Sequence, residues 1–309
     1  MSYFDKFEVR EISNLDLLAK EVVEGFIIGL HKSPFHGFSV EFAEHRLYNP
    51  GSSTKDIDWK VYARTDKLFL KKYEEETNLR CQIVIDNSSS MHYPKIKAGK
   101  DLQLSKFEFS ALGAASLMNL LKRQRDAFGL TLFDTEIKTH YKPKSSLTHY
   151  KLLLSRLEEL IQAPAENVST SAAQCIHQIA ETIHKRSLVI LFSDMFERSD
   201  NTDELFSALQ HLKHNKHEVI LIHVIDHQTE FDFEFSERPH IFIDLESGEQ
   251  IKVQPSEVRE EYLQKVELYR KQLKTKCLQY RMDMVEADIK KGYTDILRSY
   301  LGRRSKMRI

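Results

Sequence analysis

The sequence predicts an α/β fold in which helices cover both faces of a doubly wound, mostly parallel sheet, with a small β-rich module preceding it. Short apolar runs rich in β-branched residues, such as Cys81–Asp86 and Ser187–Ser193, are typical of strands buried on both faces. Stretches with apolar residues at helical spacing alternate with these runs through residues 78–302. This alternation of strands and helices indicates a parallel sheet between two helical layers.

The individual elements follow from apolar spacing and from residues that begin or end helices. A helix starts after Ser13 or Asn14, either of which can cap it, and Pro255 opens the longest helix. Helices are predicted over residues 14–30, 105–125, 150–161, 171–185, 202–214, 256–280 and 293–301. Strands are predicted over residues 68–72, 81–86, 128–133, 136–140, 187–193, 218–226 and 283–286, with a hairpin of residues 240–244 and 249–253 across Ser247-Gly248.

Three regions are expected along the chain. Residues 1–77 form an N-terminal module of one helix and short extended runs separated by glycine, proline and serine, and residues 78–302 form the α/β domain. Residues 303–309 form a basic, frayed tail. Within the module, Trp59 is expected to anchor a core while Asp58 pairs with Arg64, although the same residues would also suit a partner surface.

Composition excludes several classes of function. The 309 residues include 45 basic and 46 acidic side chains, so no overall field attracts nucleic acid or an anionic membrane. The three cysteines are widely spaced and form no CxxC pair, which favours reduced thiols and a cytoplasmic location. The charged first twenty residues do not resemble a signal peptide, and no apolar window of about 18 residues is long enough for a membrane span.

Oxygen-bearing side chains follow the ends of two predicted buried strands. Asp86 ends one strand, and the hydroxyls of Ser88 and Ser90 follow in the same loop. Asp194 follows a second strand, and Thr170 precedes the helix that lies between the two strands in sequence. Thr170 or Ser171 can cap that helix, or Thr170 can instead point its hydroxyl at a metal. Carboxylate and hydroxyl oxygens at the carboxyl edge of a parallel sheet suit Mg²⁺, with Mn²⁺ as an alternative.

These residues resemble the metal-ion-dependent adhesion site of von Willebrand factor A domains. Asp86-x-Ser88-x-Ser90, Thr170 and Asp194 match its pattern. Over roughly residues 35 to 230, the chain also resembles the bacterial domain-of-unknown-function family fifty-eight. The residues that carry this second resemblance are Glu41–Arg46, Tyr48–Gly51, Ile57–Lys60, Ala63–Asp66, Glu74–Thr77, Asp86–Met91, Phe133–Asp134 and Phe192–Asp194.

The resemblance implies a von Willebrand factor A-type fold that binds a protein partner through Mg²⁺ and catalyses no reaction. It implies direct or water-mediated ligation by Asp86, Ser88, Ser90 and Thr170, with Asp194 behind them. It also implies an adaptor or chaperone-like role beside a MoxR-type AAA+ ATPase or its client. The chain departs from many relatives at Asn87, where they carry a small apolar residue, and in lacking their membrane helices.

Two other functions compete with this interpretation. A Mg²⁺-dependent phosphoester hydrolase would use Asp86 as its nucleophile, but it needs a second acid two residues later, where Ser88 stands. No phosphate loop, dinucleotide-binding glycine motif, nucleophile elbow or zincin helix supports another enzyme class. The third hypothesis is a structural protein with a degenerate, empty site.

Overall fold

The computed structural model describes residues 14–31, 44–47, 59–65, 67–72, 79–94, 103–163, 171–195, 202–245 and 248–307. Among the predicted metal ligands, Thr170 lies outside these residues. The described residues group into two compact units, one formed by residues 29–79 and one by residues 1–28 together with residues 80–309.

Strands and helices alternate through the larger unit, as the sequence predicts. The helices are α1 (Leu15–His31), α2 (Trp59–Thr65), α3 (Lys106–Arg123), α4 (Leu147–Gln162), α5 (Ala172–Thr182), α6 (Thr202–His214), α7 (Pro255–Gln279) and α8 (Thr294–Met307). The strands are β1 (Glu44–Leu47), β2 (Phe69–Lys72), β3 (Arg80–Asp86), β4 (Ala127–Phe133), β5 (Ile137–Lys144), β6 (Leu188–Ser193), β7 (Glu218–Ile225), β8 (His240–Ile243), β9 (Gln250–Val253) and β10 (Asp283–Asp288). A 3₁₀ helix (Ser89–His92) and a π-helical turn (His227–Phe231) are additional to the predicted elements.

The central sheet has the strand order β10-β7-β6-β3-β4-β5. Every neighbouring pair is parallel except β4 and β5, which are antiparallel at one edge. The chain runs outward from β3 to β4 and β5, then crosses to β6 on the other side of β3. This reversal creates a topological switch point between the carboxyl ends of β3 and β6, where open α/β sheets bind ligands. The predicted mostly parallel sheet with helices is confirmed.

Helices cover both faces of this sheet because its strands are apolar on both sides. On one face, α5, α6 and the end of α7 pack on alternate strand residues, including Val84, Leu191 and Leu221. On the other face, Gly113 of α3 approaches the ring of Phe192, the residue next to Leu191 in β6. No helix in the described ranges is long and apolar enough to span a bilayer.

The smaller unit contains an antiparallel pair, β1 and β2, with Glu44 opposite Lys72 and Leu47 opposite Phe69. Helix α2 lies between these strands in sequence and was not predicted. Trp59 is 61% exposed at the start of α2, so the expectation that it anchors a core is wrong. Its ring instead meets Tyr62 edge-on at a centroid distance of 6.1 Å, and Asp58 lies outside the described residues.

The first helix was assigned to the N-terminal module, but α1 through Ile28 belongs to the larger unit. An apolar stripe of α1 is buried there, including Leu15, Val22 and Phe26. Two hydrogen bonds join α1 to α4: the Leu15 amide donates to Glu158 Oε1 at 2.9 Å, and the Tyr150 hydroxyl donates to Asp16 Oδ1 at 2.7 Å. Burial of this stripe places the helix with the α/β domain.

The proposed basic tail at 303–309 also differs from the structure. Residues through Met307 continue α8, and only residues 308–309 of that segment fall outside the described residues. Arg304 is buried and pairs with buried Asp126, while Arg303 pairs with Asp283 and Glu218. Paired arginines therefore hold the helix end in place, where charge alone suggested fraying.

Gly129 allows a close approach of β4 to β5. A Cβ at this position would meet the Tyr141 carbonyl oxygen most closely, then Gln82 Oε1 at 2.5 Å and Pro143 N at 2.9 Å. We expect Gly129→Ala to destabilise the protein by about 1–3 kcal/mol, because backbone atoms on the facing strand have little room to move. Urea denaturation followed by circular dichroism measures this loss.

Gly302→Ala is the matched control for this substitution. Gly302 lies in α8 with nothing within 4 Å of an added Cβ. Alanine should therefore stabilise the helix by about 0.5–1 kcal/mol. Equal stability of the two variants would contradict the steric argument at Gly129.

Candidate metal centre

Each of the five parallel strands of the central sheet ends in, or is directly followed by, an aspartate. These residues are Asp86 on β3, Asp134 after β4, Asp194 after β6, Asp226 after β7 and Asp288 on β10. All five lie on the carboxyl edge of the sheet and are buried. Asp86 and Asp194, the two aspartates predicted to belong to a metal site, flank the switch point, and their contacts distinguish their roles.

Asp86 is held by hydrogen bonds at both carboxylate oxygens. The backbone amide of Ser88 donates to Oδ1 at 2.9 Å, and the hydroxyl of Ser193 donates to Oδ2 at 2.7 Å. Burial, followed by the negative charge of Asp194, raises the pKa of Asp86 to about 7, although these hydrogen bonds act in the opposite direction. Among the described residues, Asp86 makes no ion pair, so its charge lacks a cationic partner there.

The loop after Asp86 brings two serine hydroxyls together. Ser88 Oγ lies 3.1 Å from Ser90 Oγ, and the Met91 amide donates to the Ser88 carbonyl at 3.1 Å, which tightens the turn. Oxygens at adjacent corners of a Mg²⁺ octahedron lie about 2.9 Å apart, since each bond is about 2.0–2.1 Å. The spacing of the two hydroxyls therefore fits a shared Mg²⁺.

The start of α5 lies close to the same loop. The Ser171 amide donates to the Asp134 carbonyl at 3.2 Å, and the Asn87 amide donates to the Phe133 carbonyl at 2.7 Å. The end of β4 thus contacts both the loop after Asp86 and the residue that follows Thr170. Ser171 stands at the N-cap of α5, but its side chain makes no capping hydrogen bond.

Asp194 is paired with a lysine that the sequence analysis did not select. Lys106 Nζ lies 2.8 Å from Asp194 Oδ2 and 2.5 Å from Glu230 Oε1, and the lysine side chain is 1% exposed. Burial acts to lower the pKa of Lys106, but the two carboxylates outweigh it and raise the pKa. The neighbouring His223 Nε2 donates to the Asp194 carbonyl at 3.0 Å, and burial lowers the pKa of His223 to about 4.

The position of Lys106 in the first turn of its helix is a sequence feature that indicates an anionic partner. Ser105 and Glu108 form a capping box at the start of α3, so Lys106 occupies the first helical turn. A cation there is opposed by the helix dipole, which favours anions at that end. Such a residue at the start of a mostly buried helix indicates an anionic partner elsewhere. No comparable sequence feature indicates a role for Glu230, because it lies on the π-helical turn, which is additional to the predicted elements.

The aspartates after β7 and on β10 have structural partners. Asp226 Oδ1 lies 3.0 Å from Lys290 Nζ, and its Oδ2 accepts from Gln103 at 3.3 Å. Asp288 Oδ1 accepts from the Lys290 amide at 3.0 Å. Within the described ranges, no three His, Cys, Asp or Glu side chains group to hold a metal ion. Among the described residues, the candidate donors at the switch point are accordingly the carboxylate of Asp86 and the hydroxyls of Ser88 and Ser90.

Mycobacterial proteins are similar to this chain over most of its length. Two of them are "Uncharacterized protein Rv1480" of Mycobacterium tuberculosis and "Uncharacterized protein Mb1516" of Mycobacterium bovis. Each is 23% identical to this chain over 215 residues, which cover 70% of this chain and 64% of the relative. The chain therefore spans less than two thirds of the length of these relatives.

Solved structures show a distant likeness. Conserved hypothetical protein BatB from Bacteroides thetaiotaomicron is 14% identical with a TM-score of 0.43, covering 74% of this chain and 98% of that protein. An aerotolerance-related membrane protein from Bacteroides fragilis is 14% identical with a TM-score of 0.42, covering 72% and 96%.

A family model covers most of the sequence, including parts of both units and the candidate metal centre. It matches residues 44–272, from β1 into α7. The chain therefore belongs to the family described as protein of unknown function DUF58.

Proposed function

We propose that this protein is a Mg²⁺-dependent protein-interaction module with a von Willebrand factor A-type metal-ion-dependent adhesion site. The observation that carries the proposal is the arrangement at the end of β3. Asp86 is oriented by two hydrogen bonds and has no ion pair among the described residues, while the hydroxyls of Ser88 and Ser90 lie 3.1 Å apart beside it in sequence. This donor set suits Mg²⁺ or Mn²⁺.

In this proposal Asp86, Ser88, Ser90 and Thr170 hold the ion directly or through water, and Asp194 supports the site from behind. The residues fit a dication because burial and the charge of Asp194 disfavour the ionised form of Asp86, and a nearby cation relieves both effects. When bound, the ion supplies a Lewis-acidic position that accepts a carboxylate from a partner protein.

The proposed partner is a MoxR-type AAA+ ATPase or its client, with this protein as an adaptor or chaperone-like component. The support for this choice is the resemblance to family fifty-eight noted from the sequence. The nearly balanced charge argues against nucleic acid as the ligand. Cys81, Cys175 and Cys277 are all free and buried, which suits the reducing cytoplasm.

No observation favours the alternative of a phosphoester hydrolase. Ser88 stands where such an enzyme needs its second acid, and the hydroxyl of Ser193 already occupies one lone pair of Asp86 Oδ2. Hydrogen bonds at both carboxylate oxygens orient Asp86 as a ligand and lower its nucleophilicity. A phosphatase assay comparing the wild type with Asp86→Asn separates the two functions.

Metal selectivity tests the proposed site. We expect isothermal titration calorimetry to show one Mg²⁺ or Mn²⁺ per chain, with binding lost in Asp86→Ala. We expect Zn²⁺ to compete poorly for this position, because hydroxyl and carboxylate oxygens lack the nitrogen and sulfur donors that Zn²⁺ prefers.

A histidine pair elsewhere must be controlled for in the zinc titration. His177 Nδ1 lies 2.9 Å from His211 Nδ1 across α5 and α6, so among the described residues these two rings are candidate zinc ligands outside the site. The titration is therefore repeated in His177→Ala/His211→Ala. Tight Zn²⁺ binding that survives this change but disappears in Asp86→Ala, with no Mg²⁺ effect, would contradict the assignment.

A further inference from the structure

Lys106 is a buried cation beside the proposed metal centre. Its side chain is 1% exposed, and its Nζ contacts Asp194 Oδ2 at 2.8 Å and Glu230 Oε1 at 2.5 Å. A charged group at this depth is tolerated only when it is paired, and both partners here are carboxylates. Glu230 is fixed in turn, because its Oε2 accepts from the Asp226 amide at 2.8 Å. Lys106 therefore has a defined position between two anchored anions.

The two aspartates that flank the switch point, Asp86 and Asp194, have different polar partners. Asp194 forms an ion pair with the ammonium of Lys106. In the part of the chain that the structure describes, Asp86 accepts hydrogen bonds from Ser88 and Ser193 but forms no ion pair. Asp86 and Asp194 also repel each other, which is one reason the charged form of Asp86 is disfavoured. Lys106 thus compensates the charge of Asp194 directly, whereas the charge of Asp86 has no such compensation among the described residues.

Building on the proposed function, we infer that Lys106 is a positioning residue that keeps the Asp194 carboxylate away from the Mg²⁺ ion. The bound ion then has one anionic protein ligand, Asp86, and retains a net positive charge. That charge selects a carboxylate-bearing partner for the open position.

The physical reason is a competition for one carboxylate. Asp194 can direct its charge toward the lysine ammonium or toward a dication, and the ammonium lies at hydrogen-bonding distance. A second carboxylate on the ion would raise its affinity, because the number of charged ligands sets the affinity of oxygen sites for divalent cations. It would also neutralise the ion and remove its attraction for a partner's acid. Lys106 therefore lowers metal affinity and raises selectivity for an anionic ligand.

The test removes the lysine without leaving an extra negative charge. Lys106→Met/Glu230→Gln removes one cation and one anion, so the net charge is unchanged and Asp194 loses the Lys106 ammonium. We expect Mg²⁺ titrated calorimetrically into the full-length variant to bind about tenfold more tightly than into the wild type. We also expect water-proton relaxation by bound Mn²⁺ to report one fewer exchangeable water, since a carboxylate has replaced it.

Two further variants make the result specific. Lys290→Met removes a lysine that pairs with Asp226 at the neighbouring strand end, and it should leave Mg²⁺ affinity and the water count unchanged. Glu230→Gln alone keeps the lysine and directs it to Asp194, so it should bind Mg²⁺ no more tightly than the wild type. Tighter binding in Glu230→Gln would overturn the inference, and this test remains available if the double variant does not fold.

The remaining outcomes separate this inference from the proposed function. A folded double variant with wild-type affinity and water count shows that Lys106 does not restrain Asp194. If only the double variant binds Mg²⁺, the lysine blocks the site as inferred and the proposed function of the wild type is wrong. If neither protein binds Mg²⁺ or Mn²⁺, both proposals fail.

Discussion

Asp86→Ala is expected to weaken binding of the protein partner by roughly 30-fold to several-thousand-fold, which corresponds to about 2–5 kcal/mol for losing one side of a desolvated charge contact. The substitution removes the one carboxylate proposed to hold the ion, and with it the position that accepts the partner's acid. Chelation of the wild type should have the same effect, and chelator should change nothing further in Asp86→Ala.

Affinity capture measures this effect directly. Wild-type and Asp86→Ala proteins serve as baits, each with Mg²⁺ or with chelator, and recovery of the proposed partner, a MoxR-type AAA+ ATPase, is quantified. Thr170→Ala should also reduce recovery, whereas Ser171→Ala should do little, because the contact that Ser171 makes to Asp134 uses its backbone amide.

Asp288→Ala controls for the loss of a buried strand-end aspartate. Asp288 lies at the end of β10, where its Oδ1 accepts from the Lys290 amide, so it supports a turn away from the proposed ligands. Its removal should leave partner recovery unchanged. Chelation should also leave the far-UV circular dichroism unchanged, because the apolar cores of β3 and β6 do not depend on an ion.

If the proposed ATPase is recovered in chelator and with Asp86→Ala as well as it is with the wild type and Mg²⁺, the interface lies elsewhere. The smaller unit then offers the next surface to test. Trp59 is 61% exposed there, and Arg64 lies on the same short helix. Tryptophan, tyrosine and arginine are the side chains that most often dominate protein interfaces.

The largest expected loss of stability comes from the buried ion pair between α8 and the start of β4. Arg304 pairs with Asp126, with side-chain exposures of 7% and 1%, and the Tyr300 hydroxyl adds a hydrogen bond to Gln124 Oε1 at 2.7 Å. Arg304→Ala should lower the free energy of unfolding by about 3–5 kcal/mol, because it leaves the Asp126 carboxylate buried without its cation. Urea denaturation followed by circular dichroism measures the change.

Two controls separate this effect from the loss of packing or surface charge. Arg304→Met/Asp126→Leu removes both charges and should recover most of the stability, since a buried pair replaced by apolar groups is often neutral. Arg298→Ala removes an exposed pair with Asp295 and should cost less than about 1 kcal/mol. A loss below about 1 kcal/mol in Arg304→Ala would show that the pair contributes little.

Much of the fold could be predicted because its signals are local. The apolar runs that became β3 and β6 are short, β-branched and buried on both faces, and such runs have few other stable arrangements in water. The ends of these strands place Asp86 and Asp194 at one sheet edge. The assignment of Mg²⁺ to this edge stays a prediction, as does the role of Thr170.

Features that depend on distant residues required the tertiary structure. Lys106 and Glu230 are 124 positions apart, and no local pattern indicates that they meet. The sequence places Arg304 in a frayed basic end. In the folded protein it is buried and pairs with Asp126, which lies 178 positions away. The apolar stripe of α1 is visible in the sequence, but not the layer against which it packs. Periodicity specifies which faces are buried, whereas charge pairing and helix placement depend on which surfaces the folded chain brings together.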